Sequence, residues 1–256
     1  MKLEIINYKY YDGSQRPLYI LRPNNFEKDK LYKTIYFFDG NSTFVASEYT
    51  DENWGVKEAL EKLNINDCIA IGLEHAGENR IAEYLPYDIS YEDKKIKSRK
   101  EQFDPFFIKE IIPYIEKNYP VIKDRKSRTL IGSSMGGFVT ASFAAKHKDI
   151  FSKFGIFSLA SFIGSKGQFN KFLDKYGLAK DAKYFIYVGN KEGYSKIDDY
   201  EDRETSQNYI EESNKFVDYL LNNGIENYKL MIGDGENHSE NSWKKYLPYC
   251  LDYLLK

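Results

Sequence analysis

Short apolar segments that alternate with helix-like segments constrain the fold of this chain more than any other feature. Turn residues bound each apolar segment, and most are followed by residues with helical periodicity. The candidate strands are 2–10, 17–22, 33–38, 68–73, 128–132, 154–158, 183–188 and 227–232. Asp12-Gly13 predicts a hairpin between the first two, whereas the later strands are apolar throughout, as in parallel sheets covered on both faces. We therefore predict an α/β fold with an eight-stranded, mostly parallel sheet, an antiparallel N-terminal edge, and helices on both faces.

Length and composition predict one domain and limit its partners. The chain has 256 residues and a net charge of −2, without the basic excess that nucleic-acid binding requires, so no nucleic-acid partner is expected. No segment resembles a membrane span or a secretory signal, which predicts a cytoplasmic location and no membrane partner. Cys68 and Cys250 lie far apart without metal-ligand spacing, so no metal is expected.

Residues 1–256 are predicted to form a single domain, in which 74–103 is a loop or lid over the site. The oligomeric state stays open.

Several residues mark predicted helix ends. Asp104 before Pro105 predicts an N-cap followed by a proline in the first helical position, and Pro113 predicts a kink further along. Thr205 is predicted to cap a later helix that ends at Gly224.

The sharpest chemical feature is the segment from Gly132 to Gly137, GSSMGG, which places Ser134 in a Gly-x-Ser-x-Gly pattern. A predicted strand precedes it and a helix rich in small residues follows, which is the context that a nucleophilic serine on a sharp turn requires. The glycines on either side allow the strand and the helix to approach each other. The alternative is an ordinary tight turn between a strand and a helix.

A nucleophilic serine requires a base, and the chain has three histidines. His147 lies about 20 Å along the following helix and is excluded. His238 follows the last predicted strand, where a fold of this kind presents its base after the serine in chain order. His75 precedes the serine and is predicted to lie at the rim of the site without a catalytic role.

The third member of a triad is expected to be an acid that follows a strand between Ser134 and His238. Glu192 follows the strand 183–188 and is the first choice. Other acids after this strand stay open as alternatives, namely Asp198, Asp199, Asp202, Glu201 and Glu204.

Two backbone amides are expected to bind the oxyanion of a tetrahedral intermediate. The first is the amide of Met135, the residue after the nucleophile. The second is the amide of Asn41, in the Asp39-Gly40-Asn41 turn after the third strand; a simple turn is the alternative.

These motifs resemble those of the putative-esterase family of α/β-hydrolases, which includes ferric-enterobactin (siderophore) esterases, S-formylglutathione hydrolases, feruloyl esterases and mycolyl transferases. The resemblance extends over most of the chain. It rests on IPYIEKNYP at 112–120, Asp124-Arg125, Arg128, SMGG at 134–137, Asp39-Gly40-Asn41, RIAEYLP at 80–86 and VGNKEG at 188–193.

The resemblance implies an α/β-hydrolase fold and a cofactor-free serine esterase that forms an acyl-enzyme on a small-molecule ester, with a siderophore-type ester as one candidate. The site residues would be Ser134, His238 and Glu192, with Met135 and Asn41 at the oxyanion. An acyltransferase with the same serine and histidine, or a binding protein without catalysis, are the alternatives. A basic run in the 74–103 segment is expected either to attract an anionic substrate or to be solvated; it comprises Lys94, Lys95, Lys97, Arg99 and Lys100.

Overall fold

The computed structural model describes residues 1–46, 52–91, 94–195 and 199–256, which include every predicted strand. The strands are β1 (Lys2–Lys9), β2 (Gln15–Arg22), β3 (Lys33–Phe38), β4 (Cys68–Leu73), β5 (Ile89–Tyr91), β6 (Lys94–Ile96), β7 (Arg128–Ser133), β8 (Lys153–Phe157), β9 (Lys183–Gly189), β10 (Tyr194–Ser195), β11 (Tyr200–Glu201) and β12 (Tyr228–Gly233). All eight predicted strands are present, with ends that shift by one or two residues. The pairs β5–β6 and β10–β11 are short hairpins that the sequence pattern did not predict.

The eight long strands form one sheet in the order β1-β2-β4-β3-β7-β8-β9-β12. β1 pairs with β2, and β2 with β4, in antiparallel register, while the other neighbours are parallel. This confirms the predicted eight-stranded, mostly parallel sheet with an antiparallel N-terminal edge. Because the parallel strands run in one direction, their carboxyl ends meet at one edge of the sheet.

Helices cover both faces of this sheet. They are α1 (Gly40–Phe44), α2 (Val56–Lys62), α3 (Arg80–Tyr84), α4 (Lys100–Phe106), α5 (Ile112–Asn118), α6 (Met135–Lys146), α7 (Gln168–Tyr176), α8 (Arg203–Asn222) and α9 (Glu240–Leu255). Alternate residues of β3 enter different cores: Tyr36 and Phe38 pack in the larger cluster with α4, α6 and α7, and Ile35 and Phe37 pack in the smaller one with α2 and α9. The uniform burial of the central strands follows from this two-sided packing.

The helix predicted to begin at Asp104 begins earlier, at Lys100. Asp104 does not cap it but lies buried within α4, where its carboxylate contacts Lys100 and His147. The prediction was wrong because the contact with His147, which lies 43 residues away in sequence, leaves no local pattern. Lys100, predicted to belong to a basic loop, is likewise buried, and its ammonium donates to Ser142 Oγ at 2.9 Å.

Two other predicted features differ in detail. The interruption predicted near Pro113 is a π-helical turn over Phe107–Ile111 that joins α4 to α5. The cap of α8 is Asp202, not Thr205, since the Asp202 carboxylate accepts hydrogen bonds from the amides of Glu204 and Thr205. A carboxylate there also complements the positive end of the helix dipole. Gly224, with φ of +66°, follows the end of α8 as predicted.

The segment 74–103 contains a turn of 3₁₀-helix at Gly77–Asn79, then α3, the described parts of the β5–β6 hairpin, and the first turn of α4. Arg80, Glu83 and Tyr84 anchor it to the body of the molecule by the contacts described below. No helix within residues 1–46, 52–91, 94–195 and 199–256 is long and apolar enough to cross a membrane.

Candidate active site

Ser134 lies at the carboxyl edge of the sheet, between the end of β7 and the start of α6. Its backbone has φ of 56° and ψ of −123°, a conformation that an L-amino acid rarely adopts. The amide of Ser134 donates to the carbonyl of Phe157 at 2.9 Å, which ties the turn to the neighbouring strand. The side chain is therefore presented from a strained, rigid turn above the N-terminus of a twelve-residue helix.

The glycines around Ser134 are required by close backbone approach. A Cβ atom at Gly132 would lie 2.3 Å from the carbonyl oxygen of Gly136, and one at Gly137 would lie 2.6 Å from that of Phe157. Either atom would force the turn apart, so the two positions need glycine. The sequence pattern thus predicts this turn through a steric requirement.

His238 follows β12 at the same edge of the sheet, and its ring pairs with Glu192. The Nδ1 atom of His238 lies 2.6 Å from Oε2 of Glu192, whose side chain has no solvent exposure, while the imidazole is 27% exposed. A buried carboxylate against Nδ1 holds the ring in one orientation and leaves Nε2 for a reacting proton. The Trp243 indole packs edge-on against the imidazole, with centroids 5.0 Å apart.

The second oxygen of Glu192 is held by neutral donors. Oε1 accepts a hydrogen bond of 2.7 Å from the Ser158 hydroxyl and another of 2.7 Å from the Gly189 amide. The Ser158 hydroxyl in turn accepts from the Trp243 indole at 3.0 Å. Ser158 follows β8 with φ of +47° and is fully buried. No local motif marks Ser158, so sequence reasoning missed it.

The alternative acids that the structure describes make other contacts. Asp199 accepts from the Tyr194 hydroxyl at 2.9 Å, and Asp202 caps α8. Asp198 lies outside the described residues. Among the described acids weighed from the sequence, Glu192 is the one in hydrogen-bonding contact with His238.

Tyr209, from α8, lies beside both Ser134 and His238. Its ring lies over the imidazole with centroids 4.7 Å apart and an interplanar angle of 33°. Its hydroxyl lies near the Ser134 side chain. Burial raises the pKa of Tyr209 to about 12, although the Ser134 contact and the charge of Arg80 act in the opposite direction. Sequence analysis placed Tyr209 only in the predicted helix.

The two amides predicted at the oxyanion differ in their surroundings. Met135 begins α6, so its amide belongs to the first helical turn, where N–H groups have no intrahelical acceptor. The Asn41 amide donates to Oε2 of Glu74 at 3.0 Å. A carboxylate oxygen therefore binds the very amide that was predicted to bind the oxyanion.

Glu74 is a largely buried carboxyl group at the end of β4. Its Oε2 also accepts from the Tyr19 hydroxyl at 3.1 Å, and its Oε1 accepts from the amide of His75 at 3.2 Å. Burial, with a smaller contribution from the charge of Asp39, raises the pKa of Glu74 to about 7 against these hydrogen bonds. The group is thus poised to change its protonation near neutral pH.

The RIAEYLP segment supports the turn that carries Asn41. The Arg80 guanidinium binds both oxygens of Asp39, at 2.6 and 2.7 Å, and the Asp39 amide donates to the Tyr84 hydroxyl at 3.3 Å. Glu83 pairs with Arg16 of β2 at 2.8 Å. The motif residues therefore fix the Asp39-Gly40-Asn41 turn against the sheet and place a cation beside it.

The other two histidines have different environments. His75 lies next to Glu74, where its Nδ1 accepts from the Gly77 amide at 2.9 Å. His147 ends α6 and pairs with Asp104 at 2.7 Å, away from Ser134. Within the described ranges, no group of three or more His, Cys, Asp or Glu side chains is arranged to hold a metal ion.

The sequence and the fold of this chain resemble those of known proteins. The profile of the family described as "Putative esterase" matches residues 11–253. An uncharacterized protein, YbbA of Bacillus subtilis, is 25% identical over 195 residues, which cover 72% of this chain and 71% of YbbA. The crystal structure of the BES protein of Bacillus cereus superposes with a TM-score of 0.74 at 21% identity, over 98% of this chain and 94% of that one. The siderophore hydrolase EstA of Aspergillus nidulans superposes with a TM-score of 0.71 at 15% identity, over 97% and 94%.

The sheet order and these structural neighbours define an α/β-hydrolase fold, as predicted. The chain belongs to the putative-esterase family, because the family profile spans nearly its whole length. It is accordingly a carboxylic-ester hydrolase.

Proposed function

We propose that the protein hydrolyses a small-molecule carboxylic ester through an acyl-enzyme formed on Ser134, with His238 as the base and Glu192 as the acid that orients it. The observation that carries the proposal is the 2.6 Å pair between His238 Nδ1 and the buried Glu192, at the edge of the sheet where Ser134 occupies its strained turn. A serine hydroxyl is a weak nucleophile until a positioned base removes its proton.

The reaction proceeds in two halves. His238 Nε2 takes the hydroxyl proton as Ser134 Oγ bonds to the ester carbon, and the resulting imidazolium is stabilised by Glu192. When the tetrahedral intermediate collapses, the bond to the alcohol oxygen breaks and His238 returns the proton to that oxygen. Water then repeats the sequence on the acyl-enzyme, which releases the acid and restores Ser134.

For the oxyanion, the Met135 and Asn41 amides are the proposed backbone donors. Glu74 must release the Asn41 amide before a substrate oxygen can accept from it, because Oε2 of Glu74 is its acceptor in this structure. Loss of one such donor typically costs about 3 to 4 kcal/mol of transition-state stabilisation.

For the substrate, we propose an aromatic or siderophore-type ester. Two features of the site support this class: the Tyr209 ring next to the imidazole, and the partly exposed Arg80 guanidinium, which suits an anionic group. Siderophore esters are proposed because the fold resembles that of a fungal siderophore hydrolase. A hydrolysis screen over short-chain, aromatic and siderophore esters tests the proposal, and a preference for short-chain alkyl esters would contradict it.

The compartment proposed for this activity is the reducing cytosol. Cys68 and Cys250 are both unpaired and buried, so neither contributes a disulfide that would need an oxidising environment. Cell fractionation with an antibody tests this, and recovery outside the cytosol would overturn it.

The catalytic assignment is tested with Ser134→Ala. We expect turnover of p-nitrophenyl acetate to fall by at least a thousandfold, because the nucleophile is removed. Circular dichroism should match that of the wild type, since alanine replaces the small side chain without filling space. Turnover by Ser134→Ala equal to that of the wild type would refute the assignment.

A further inference from the structure

Tyr209 is placed where it can act on the reaction directly. The phenol lies beside two groups of the proposed machinery, since its ring covers the His238 imidazole at 4.7 Å and its hydroxyl lies near the Ser134 side chain. The residue is 8% exposed, and Phe162 packs edge-on against its ring at 4.8 Å. Burial and these two ring contacts restrict the rotation of the phenol, so the hydroxyl stays near Ser134.

An ester carbon bonded to Oγ carries two other oxygens, the former carbonyl oxygen and the alcohol oxygen. Both lie close to Oγ in a tetrahedral intermediate, so a hydroxyl near Ser134 is within reach of one of them. The surroundings favour the carbonyl oxygen. Tyr209 interacts electrostatically with Arg80, and Arg80 is bound to Asp39, the first residue of the turn that was predicted to bind the oxyanion.

The state of the Asn41 amide strengthens this reading. Oε2 of Glu74 accepts its hydrogen bond at 3.0 Å, so the second backbone donor begins the reaction engaged with the Glu74 carboxyl group. The Tyr209 hydroxyl would bind the developing charge before that amide is released.

We propose that the Tyr209 hydroxyl donates a hydrogen bond to the oxyanion of the tetrahedral intermediate, alongside the Met135 amide. The proposal rests on the proposed function, because it requires an acyl-enzyme on Ser134. As Oγ attacks, the electron pair of the carbonyl bond moves onto the carbonyl oxygen, which accepts from Tyr209. When that pair returns and the bond to the alcohol oxygen breaks, the hydrogen bond weakens and the phenol keeps its proton throughout.

The protonation of Tyr209 suits this role. Burial raises the pKa of its phenol to about 12, so the group stays a neutral donor over the working range of an enzyme whose base is histidine. A hydrogen bond to the oxyanion is stronger than one to the uncharged substrate carbonyl, so it favours the transition state over the bound substrate.

The test is Tyr209→Phe, which keeps the ring on His238 and removes only the hydroxyl. We expect kcat/KM for p-nitrophenyl acetate to fall about 100-fold, mainly through kcat. The affinity for phenylboronic acid, which forms a tetrahedral adduct on the serine, should weaken by a similar factor. The matched control is Tyr219→Phe on the same helix, which removes a partly buried hydroxyl next to Asp174 and should leave both values within twofold.

Three outcomes separate the possibilities. If the wild type hydrolyses no ester, the proposed function fails. If the wild type is active and Tyr209→Phe stays within twofold of it, the function stands and the role of Tyr209 is overturned. A loss in Tyr209→Phe that grows steadily as the leaving alcohol becomes more basic would also overturn it, because the phenol would then act on the alcohol oxygen. If Tyr209→Phe does not fold, Tyr209→Met is compared in the same assays.

Discussion

The molecule contains two histidine–carboxylate pairs of nearly equal length in very different settings. His238 and Glu192 are 2.6 Å apart at the carboxyl edge of the sheet, and His147 and Asp104 are 2.7 Å apart between α6 and α4. Both carboxylates are buried. Neither the distance nor the burial of the acid therefore distinguishes the pair proposed for catalysis from the other pair.

The difference lies in the other partners of each acid. Asp104 also lies near two ammonium groups, those of Lys100 at 3.5 Å and Lys146 at 3.4 Å, so its charge is shared among several cations. Glu192 accepts from the neutral donors Ser158 and Gly189. Neutral donors hold the carboxylate without compensating its charge, which leaves that charge available to stabilise an imidazolium. The environment of the acid therefore separates the two pairs.

Exchanging each histidine for alanine should separate the pairs most strongly. We expect His238→Ala to lower kcat by at least 10⁴-fold, because the proposed base is lost. His147→Ala should keep kcat within a fewfold but lower the free energy of unfolding by about 1 to 3 kcal/mol, since the buried Asp104 loses its shortest contact. Ester hydrolysis and urea denaturation measure the two effects.

Neutralising each acid should give the next largest contrast. In Glu192→Gln, the Ser158 hydroxyl and the Gly189 amide require an oxygen at the Oε1 position, so the amide nitrogen faces His238. Nδ1 of His238 must then accept a hydrogen bond from this amide, which places the ring proton on Nε2. Nε2 can no longer take the serine proton, so kcat should fall by roughly 10³- to 10⁴-fold.

Asp104→Asn is the matched control for this experiment. It should leave kcat within a fewfold and reduce stability by about 1 to 3 kcal/mol, because Lys100 and Lys146 lose a buried counter-ion. Equal kinetic losses in Glu192→Gln and Asp104→Asn would show that the two pairs do not differ as described.

The smallest expected effect concerns the pH dependence of stability at Glu74. Burial raises its pKa from 4.5 to about 7, so the folded protein binds this proton more tightly than the unfolded chain. The contribution of Glu74 to stability therefore falls as the pH rises through this interval. When the pH rises from 4.5 to 7, the free energy of unfolding of Glu74→Gln should increase relative to that of the wild type by on the order of 1 to 3 kcal/mol. Urea denaturation at both pH values measures it, and parallel curves would contradict the prediction.

Much of the fold could be predicted because its causes are local. The strands of the sheet are apolar in sequence because both of their faces are covered. The Ser134 turn is recognisable in the sequence because the close approach of the backbone requires glycine on either side of it. Chain order was enough to select His238 and to favour Glu192. These inferences required only periodicity, glycine sterics and the direction of parallel strands.

The rest depends on tertiary contacts that leave no local pattern. Ser158, Glu74 and Tyr209 come from three different elements and have ordinary neighbours in sequence, so only folding reveals what they touch. The same reason accounts for the wrong prediction at Asp104, where the contact with His147 outweighs the preference of aspartate for an N-cap. Local propensity predicts a helix or a strand, whereas the contacts formed on folding determine the role of each polar residue in it.

The most direct test of the central claim is to map where a fluorophosphonate probe reacts. We expect mass spectrometry to find one phosphonyl group on the Ser134 hydroxyl of the intact protein, no labelling of Ser134→Ala, and labelling of His147→Ala at the rate of the wild type. A protein that hydrolyses esters while the probe bonds to a different residue, or to none, would contradict the claim that Ser134 is the activated nucleophile.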